Sequence, residues 1–83
     1  MQRASKQVIK VWLGQAQEKG CTHLMVVCDD FDFDDYPVFI TSAMDVRKEY
    51  EDRHQKDMQR VMEVYDLNMD IEEQLREHRS IHF

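Results

Sequence analysis

The fold is decided by residues 21–41, which read CTHLMVVCDDFDFDDYPVFIT. The first eight residues are largely apolar and include β-branched side chains, which predicts a strand. The last six predict a second strand, and Pro37 indicates that it lies at a sheet edge, because proline has no N–H to donate to a ladder. Since only a short polar segment separates the two runs, we expect an antiparallel β-hairpin.

Alternation along the first strand predicts two apolar faces. One face carries Cys21, His23, Met25 and Val27, and the other carries Thr22, Leu24, Val26 and Cys28. A strand of this kind needs a cover on each side. We expect the N-terminal helix on one side and either the C-terminal half or a partner on the other.

The rest of the chain predicts helices. Residues 4–19 have an apolar face at helical spacing, and Gly20 follows at the position of a left-handed C-terminal cap. From Ser42 onward, apolar residues recur every three or four positions, although the polar segment 51–57 leaves open whether residues 43–66 form one helix or two. A last helix begins near Asp70. The expected fold is therefore α+β: an N-terminal helix, an antiparallel β-hairpin and a helical C-terminal half (α-β-β-α-α) in a single domain of residues 1–83.

The net charge of −6 is spread unevenly along the chain. Residues 1–20 hold four Lys or Arg against one Glu, whereas residues 21–45 hold six Asp and no Lys or Arg. Residues 46–83 hold seven basic and ten acidic residues. Because the acidic middle block would repel phosphates, we expect no nucleic acid along the hairpin.

An acidic and aromatic segment joins the two strands. Its candidate binding residues are Asp29, Asp30, Phe31, Asp32, Phe33, Asp34, Asp35 and Tyr36. Aromatic anchors ringed by charges are typical of protein interfaces, so we expect this segment to bind a basic surface on a partner protein. Whether Phe31 and Phe33 lie in the core or at an interface stays open.

Two other hypotheses explain the same cluster. A calcium loop begins Asp-x-Asp-x-Asp, as residues 30–34 do, but Asp35 replaces its glycine and Thr41 its closing glutamate. A divalent-cation-binding protein, with or without hydrolytic activity, is therefore the first alternative. A nucleic-acid mimic is the second, although a seven-residue loop is short for it. A solvated loop whose charge blocks edge pairing is the purely structural interpretation.

Enzyme signatures are missing from the sequence. It has no Gly-rich phosphate loop, nucleophile elbow or Cys/His zinc spacing. Cys28 precedes Asp29, and a neighbouring carboxylate disfavours the thiolate that a nucleophile requires. We therefore expect no enzymatic activity and no cofactor.

Size and cysteine usage bear on partners and compartment. A chain of 83 residues buries only about 60–65% of its unfolded surface, which favours a homodimer. Cys21 and Cys28 would lie about 23 Å apart in one strand, too far for a disulfide, so we expect free thiols in a reducing compartment. No signal-peptide core or membrane-length apolar run occurs, and we expect a cytoplasmic protein without membrane contact.

Residues 22–40 and 57–83 resemble a group of small uncharacterised bacterial and phage proteins. The resemblance lies in Val27-Cys28-Asp29, Phe31-Asp32, Asp35-Tyr36-Pro37-Val38, Met58-Gln59, the run from Val61 to Leu67 and the pair His82-Phe83. No activity is attached to that group. The resemblance implies a phage or mobile-element setting, for which an inhibitor or adaptor is the concrete form of a binding protein.

Overall fold

The computed structural model describes residues 4–54, 56, 58–77 and 79–83. In this part of the chain, three helices and three strands follow one another in the order α1 Lys6–Glu18, β1 His23–Asp29, β2 Asp34–Ile40, α2 Val46–Arg53, β3 Gln59–Asp66 and α3 Ile71–Arg76. The strands form one antiparallel sheet in the order β2-β1-β3. The α+β class, the N-terminal helix and the hairpin are confirmed, and β2 is an edge strand as Pro37 predicted.

Strand β1 is the centre of the sheet, and its residues 24–28 are all buried. Leu24 and Val26 pack with Ile9 and Leu13 of α1 on one face, which we call the α1 face. The predicted alternation is confirmed, because Met25 and Val27 lie in a separate cluster on the opposite face.

Helix α2 covers that opposite face, which we call the α2 face. Val46 and Tyr50 pack against a cluster that includes Val61 and Val64 of β3. Phe83 adds an edge-on ring contact to Tyr50, with 5.1 Å between ring centroids. The C-terminal half of the chain thus supplies the second cover, which the sequence had assigned either to this half or to a partner.

The C-terminal half differs from the predicted pair of helices in one element, because residues 59–66 form β3. Val61 lies opposite Val27 and Glu63 lies opposite Val26, so Met62 is an extra residue in a β-bulge. The bulge turns Met62 to the α1 face while Val61 and Val64 face α2. Apolar residues therefore recur every three or four positions in a strand, which is the spacing that suggested a helix.

A hydrogen-bonded network around Glu63 ties three segments together on the α1 face. The Glu63 side chain is 12% exposed and accepts hydrogen bonds from Lys6 Nζ at 3.3 Å, Tyr65 Oη at 2.8 Å and the Ser80 N–H at 3.3 Å. Each contact partly replaces the water that the buried carboxylate has lost. The network joins α1, β3 and the C-terminal residues.

The buried phenol of Tyr65 should make the protein less stable as the pH rises into the alkaline range. Burial raises its pKa well above the ordinary value, and the hydrogen bond to Glu63 raises it further. An unfolded tyrosine ionises near pH 10, so above about pH 10 the unfolded state releases a proton that the native state keeps. We expect the free energy of unfolding to fall there by up to about 1.4 kcal/mol per pH unit. Tyr65→Phe cannot ionise and should lose stability less steeply in urea denaturation followed by circular dichroism. Equal slopes for the two proteins would contradict this account.

Gln74 anchors the last helix from a fully buried position. Its Nε2 donates to the carbonyl oxygens of Asp66 at 2.9 Å and Asp70 at 3.2 Å, and its Oε1 accepts from the Asp66 N–H at 2.8 Å. The side chain is thereby satisfied as both donor and acceptor, which a 1% exposed amide requires. It fixes the start of α3 against the end of β3.

Gln74→Glu keeps the shape of the side chain but replaces its donor group with an acceptor facing two carbonyl oxygens. We expect this variant to lose about 3 kcal/mol of unfolding free energy at neutral pH. Urea denaturation measures the loss. Gln15→Glu, on the exposed side of α1, is the matched control and should change stability by less than about 0.5 kcal/mol. A Gln74→Glu midpoint equal to that of the control would show that these hydrogen bonds do not anchor α3.

Candidate functional site

The eight predicted binding residues lie together at one end of the hairpin, which we call the acidic tip (residues 29–36). Asp29 ends β1, Asp34 begins β2, and these two residues are paired across the hairpin. Residues 30–33 form the connecting turn. Asp35 and Tyr36 continue into β2, opposite Cys28 and Val27.

The turn is held by its own backbone and by Asp29. Asp29 Oδ1 accepts a hydrogen bond from the Phe31 N–H at 2.8 Å, and the Asp29 carbonyl oxygen accepts one from the Phe33 N–H at 2.6 Å. Phe33 has a φ of 58°, in the left-handed region that favours glycine. A bulky residue held there costs about 1–2 kcal/mol.

Both phenylalanine rings point outward. Phe31 is 73% exposed and Phe33 is 48% exposed, so neither belongs to the core of the domain. The sequence left this orientation open, and the structure places both rings on the surface, between the aspartates. Two exposed rings so close together in one turn are unusual, since large apolar side chains are normally buried.

The chain itself neutralises part of the tip. Arg60 of β3 donates from Nε to Asp30 Oδ1 at 2.6 Å, and this hydrogen bond and ion pair raise the pKa of Arg60 above its ordinary value. The Ala4 N–H donates to Asp35 Oδ2 at 2.8 Å, which ties the chain before α1 to the hairpin. Asp32 lies exposed between the two rings. The tip therefore combines aspartates that hold the structure with one that faces solvent.

Met58 is a tip neighbour that the sequence did not identify. It has a φ of 59°, is 59% exposed, and its carbonyl oxygen accepts a hydrogen bond from the Asp30 N–H at 2.7 Å. The apolar spacing after Ser42 predicted that Met58 lies within a helix, whereas the structure places it one residue before β3. The polar segment 51–57, followed by the valine-containing run of β3, is the signal that marks this position as a corner between two elements.

The described histidines and acidic residues do not converge on a cation site. Among residues 4–54, 56, 58–77 and 79–83, no group of three His, Cys, Asp or Glu side chains is placed to hold a metal ion. His82 lies 3.0 Å from Glu77 and His23 lies 3.9 Å from Asp66, and each pair is separate from the tip. A divalent-cation site at the tip therefore remains a hypothesis from the sequence.

Both cysteines are buried free thiols, as expected, although Cys21 precedes β1 and only Cys28 lies in the strand. Burial raises the pKa of the Cys28 thiol, and the charge of Asp35 raises it further. A nucleophilic cysteine needs the opposite surroundings, exposed and electropositive. Cys28 serves the core of the α1 face.

A cleft opens beside the acidic tip on the α2 face. It has a volume of about 380 Å³ and is lined by Tyr36, Val38, Glu49, Asp52, Arg53 and Gln59. Tyr36 belongs to both surfaces, and its hydroxyl donates a hydrogen bond to Gln59 Oε1. Burial raises the pKa of the Tyr36 phenol, while the nearby charge of Arg53 opposes that rise.

Phe33 offers a direct test of the backbone geometry at the tip. At most positions alanine is more stable than glycine by about 0.5–1 kcal/mol. At a left-handed residue this order should reverse, so we expect Phe33→Gly to be about 1 kcal/mol more stable than Phe33→Ala in urea denaturation. The same pair of substitutions at Phe31, whose φ is not positive, is the control and should keep the usual order. Alanine ahead of glycine at both positions would contradict the turn geometry.

Within residues 4–54, 56, 58–77 and 79–83, no helix is long and apolar enough to cross a membrane.

Comparison with known proteins adds no relative. No family model, curated protein or solved structure matches the chain.

Proposed function

We propose that this chain is a small non-enzymatic protein-binding module whose acidic tip docks on a basic surface of a partner protein. The observation that carries the proposal is Phe31, which is 73% exposed and stands among carboxylates at the end of a two-strand ribbon. Aromatic side chains dominate the energetics of interfaces, and charges around them steer association and set orientation. The tip offers both.

The backbone supports the same proposal. Phe33 and Met58 are bulky residues in left-handed conformations, and both side chains are at least 48% exposed. Neither ring nor thioether gains burial that would offset the strain of its backbone. Strain of this kind concentrates at functional sites. Together with Phe31, these side chains provide three exposed apolar groups at the tip end of the molecule, where a partner would bury them.

Preorganisation is the third support. The Asp29 hydrogen bonds, the Arg60–Asp30 ion pair and the Met58–Asp30 hydrogen bond hold the turn before any partner arrives. A binding loop that is already ordered loses less conformational entropy on association. The aspartates that make these contacts position the rings, while Asp32 faces the partner.

The setting of the protein belongs to the proposal as well. The free thiols of Cys21 and Cys28 suit a reducing compartment such as the cytoplasm. A phage or mobile-element inhibitor or adaptor is the form of binding module that we propose. We also propose a homodimer, because α1 leaves Val8 and Val11 exposed. A domain this small buries a limited fraction of its apolar surface by itself, and a second copy would cover these side chains. Sedimentation equilibrium over a range of concentrations tests the dimer, and a monomer mass at every concentration would remove it.

The test of the proposed function is partner capture by the tagged full chain from a lysate of its host, quantified by mass spectrometry. The wild-type chain should enrich a partner with a basic surface at about 0.15 M salt, and higher salt should weaken the capture. Phe31→Ala and Asp32→Lys alter exposed side chains, so both should keep the wild-type melting temperature and lose the partner. Met69→Ala and Glu72→Lys, which change an exposed methionine before α3 and an exposed acid of α3, should keep it.

The decisive comparison is between folded variants. If the double variant Phe31→Ala/Asp32→Lys has a native circular dichroism spectrum and still captures the same partner, the tip is not the interface. Capture that is lost equally with the two control variants would place the interface elsewhere on the molecule.

A further inference from the structure

The cleft beside the acidic tip contains a charged pair that is largely withdrawn from solvent. Arg53 Nη1 lies 3.1 Å from Glu49 Oε1, one helical turn away on α2, and these side chains are only 28% and 21% exposed. The chain thus already places a guanidinium group against a carboxylate inside the cleft. Charge-assisted contacts of this kind are among the stronger hydrogen bonds in proteins.

The charge of the cleft is not balanced by this pair. Among the lining residues that the structure describes, Asp52 contributes a second carboxylate, so two acids face one arginine. The other described lining groups, Tyr36, Val38 and Gln59, are uncharged at neutral pH. The local excess of negative charge favours a cationic ligand over an anionic one.

The shape and chemistry of the cleft suit a guanidinium among cations. Two carboxylates present acceptor oxygens for its forked donors, and the lining includes Tyr36, an aromatic side chain of the kind on which guanidinium groups stack. The volume of about 380 Å³ accommodates an arginine side chain. A compact, strongly hydrated ammonium uses such a planar arrangement less well.

We propose that this cleft binds an arginine side chain of the partner protein, which pairs with Asp52 and displaces Arg53 from Glu49. The inference rests on the proposed function, because the cleft shares Tyr36 with the acidic tip and Gln59 is paired with Asp29 across the sheet. A partner that places its basic surface on the tip would therefore bring an arginine within reach of the cleft. The tip supplies the aromatic anchors, and the cleft selects arginine over lysine.

The test uses a probe of known structure and does not depend on identifying the partner. The ¹⁵N-labelled full chain is titrated with N-acetyl-L-arginine amide, and amide shifts are followed by NMR. We expect the largest shifts at residues around the cleft, namely Tyr36, Glu49, Asp52 and Gln59. N-acetyl-L-lysine amide should bind at least about threefold more weakly. Shifts confined to the tip, or no saturable shift, would overturn the cleft proposal and leave the proposed function standing.

Variants of α2 distinguish a cationic ligand from an anionic one by the direction in which the affinity changes. Asp52→Asn should weaken arginine amide binding at least about fivefold. Arg53→Gln removes the internal competitor for Glu49 and should strengthen binding by about the same factor. Glu51→Gln, an exposed acid next to Asp52 in sequence that does not line the cleft, is the matched control and should have no effect. Weaker binding by Arg53→Gln would overturn the proposal, because it would assign Arg53 to the recognition of an anion.

A longer probe distinguishes an arginine of a protein from a free guanidinium compound. A hexa-arginine peptide can contact the cleft and the tip together, so we expect it to bind at least about tenfold more tightly than the single amide. Phe31→Ala/Asp32→Lys should remove that gain while leaving the affinity for the single amide unchanged. Equal affinities of wild type for peptide and amide would overturn the docking of a partner arginine, because the cleft would then act on its own.

Discussion

The structure depends on the burial of one strand from every direction. Residues 24–28 of β1 are within 2% of complete burial, with large side chains on both faces and a hydrogen-bonded neighbour on each edge. A strand in that position requires two covers and two flanking strands, and an 83-residue chain has few elements to provide them. Helices α1 and α3 cover one face, α2 covers the other, and β2 and β3 occupy the edges. Every element other than β1 therefore either covers one of its faces or pairs with one of its edges.

The bulge in β3 determines on which face of the sheet the charged side chain of Glu63 lies. By inserting Met62, it places Glu63 on the α1 face beside Lys6 and Tyr65, where the carboxylate is hydrogen-bonded. Earlier in the same strand, Arg60 lies next to Asp30 at the hairpin end. Strand β3 thus carries a hydrogen-bonded acid that pairs with Lys6 of α1 at one point, and it holds the acidic tip at another. The order of the tip, on which its proposed binding role depends, therefore comes from the hydrogen bonds of the turn itself together with long-range contacts to Arg60 and Met58.

Several parts of this structure follow from local sequence rules. The apolar run of residues 21–28, Pro37 and the aspartate segment between them predict the hairpin, because strand and turn preferences depend on residues adjacent in sequence. Gly20 follows α1 as expected, at a φ of 71°, and the Ser5 hydroxyl caps the start of the helix by accepting a hydrogen bond from the Val8 N–H. Strand β3 was predicted to be helical, because its bulge gives the strand the apolar spacing of a helix. Recognising it requires knowledge that β1 lacks a second neighbour, which is a property of the whole fold.

The same division applies to the candidate site. The sequence by itself determined that aspartates and aromatic rings occupy one hairpin end, because adjacent residues in a tight turn stay together in any fold that keeps the turn. Only the tertiary structure decided that the rings of Phe31 and Phe33 face outward, that Arg60 neutralises Asp30, and that Met58 joins them. It also decided the cleft, whose residues come from β2, α2 and β3. Exposure and pairing between distant residues depend on how the elements pack, and in this fold they pack so that β1 is buried on both faces.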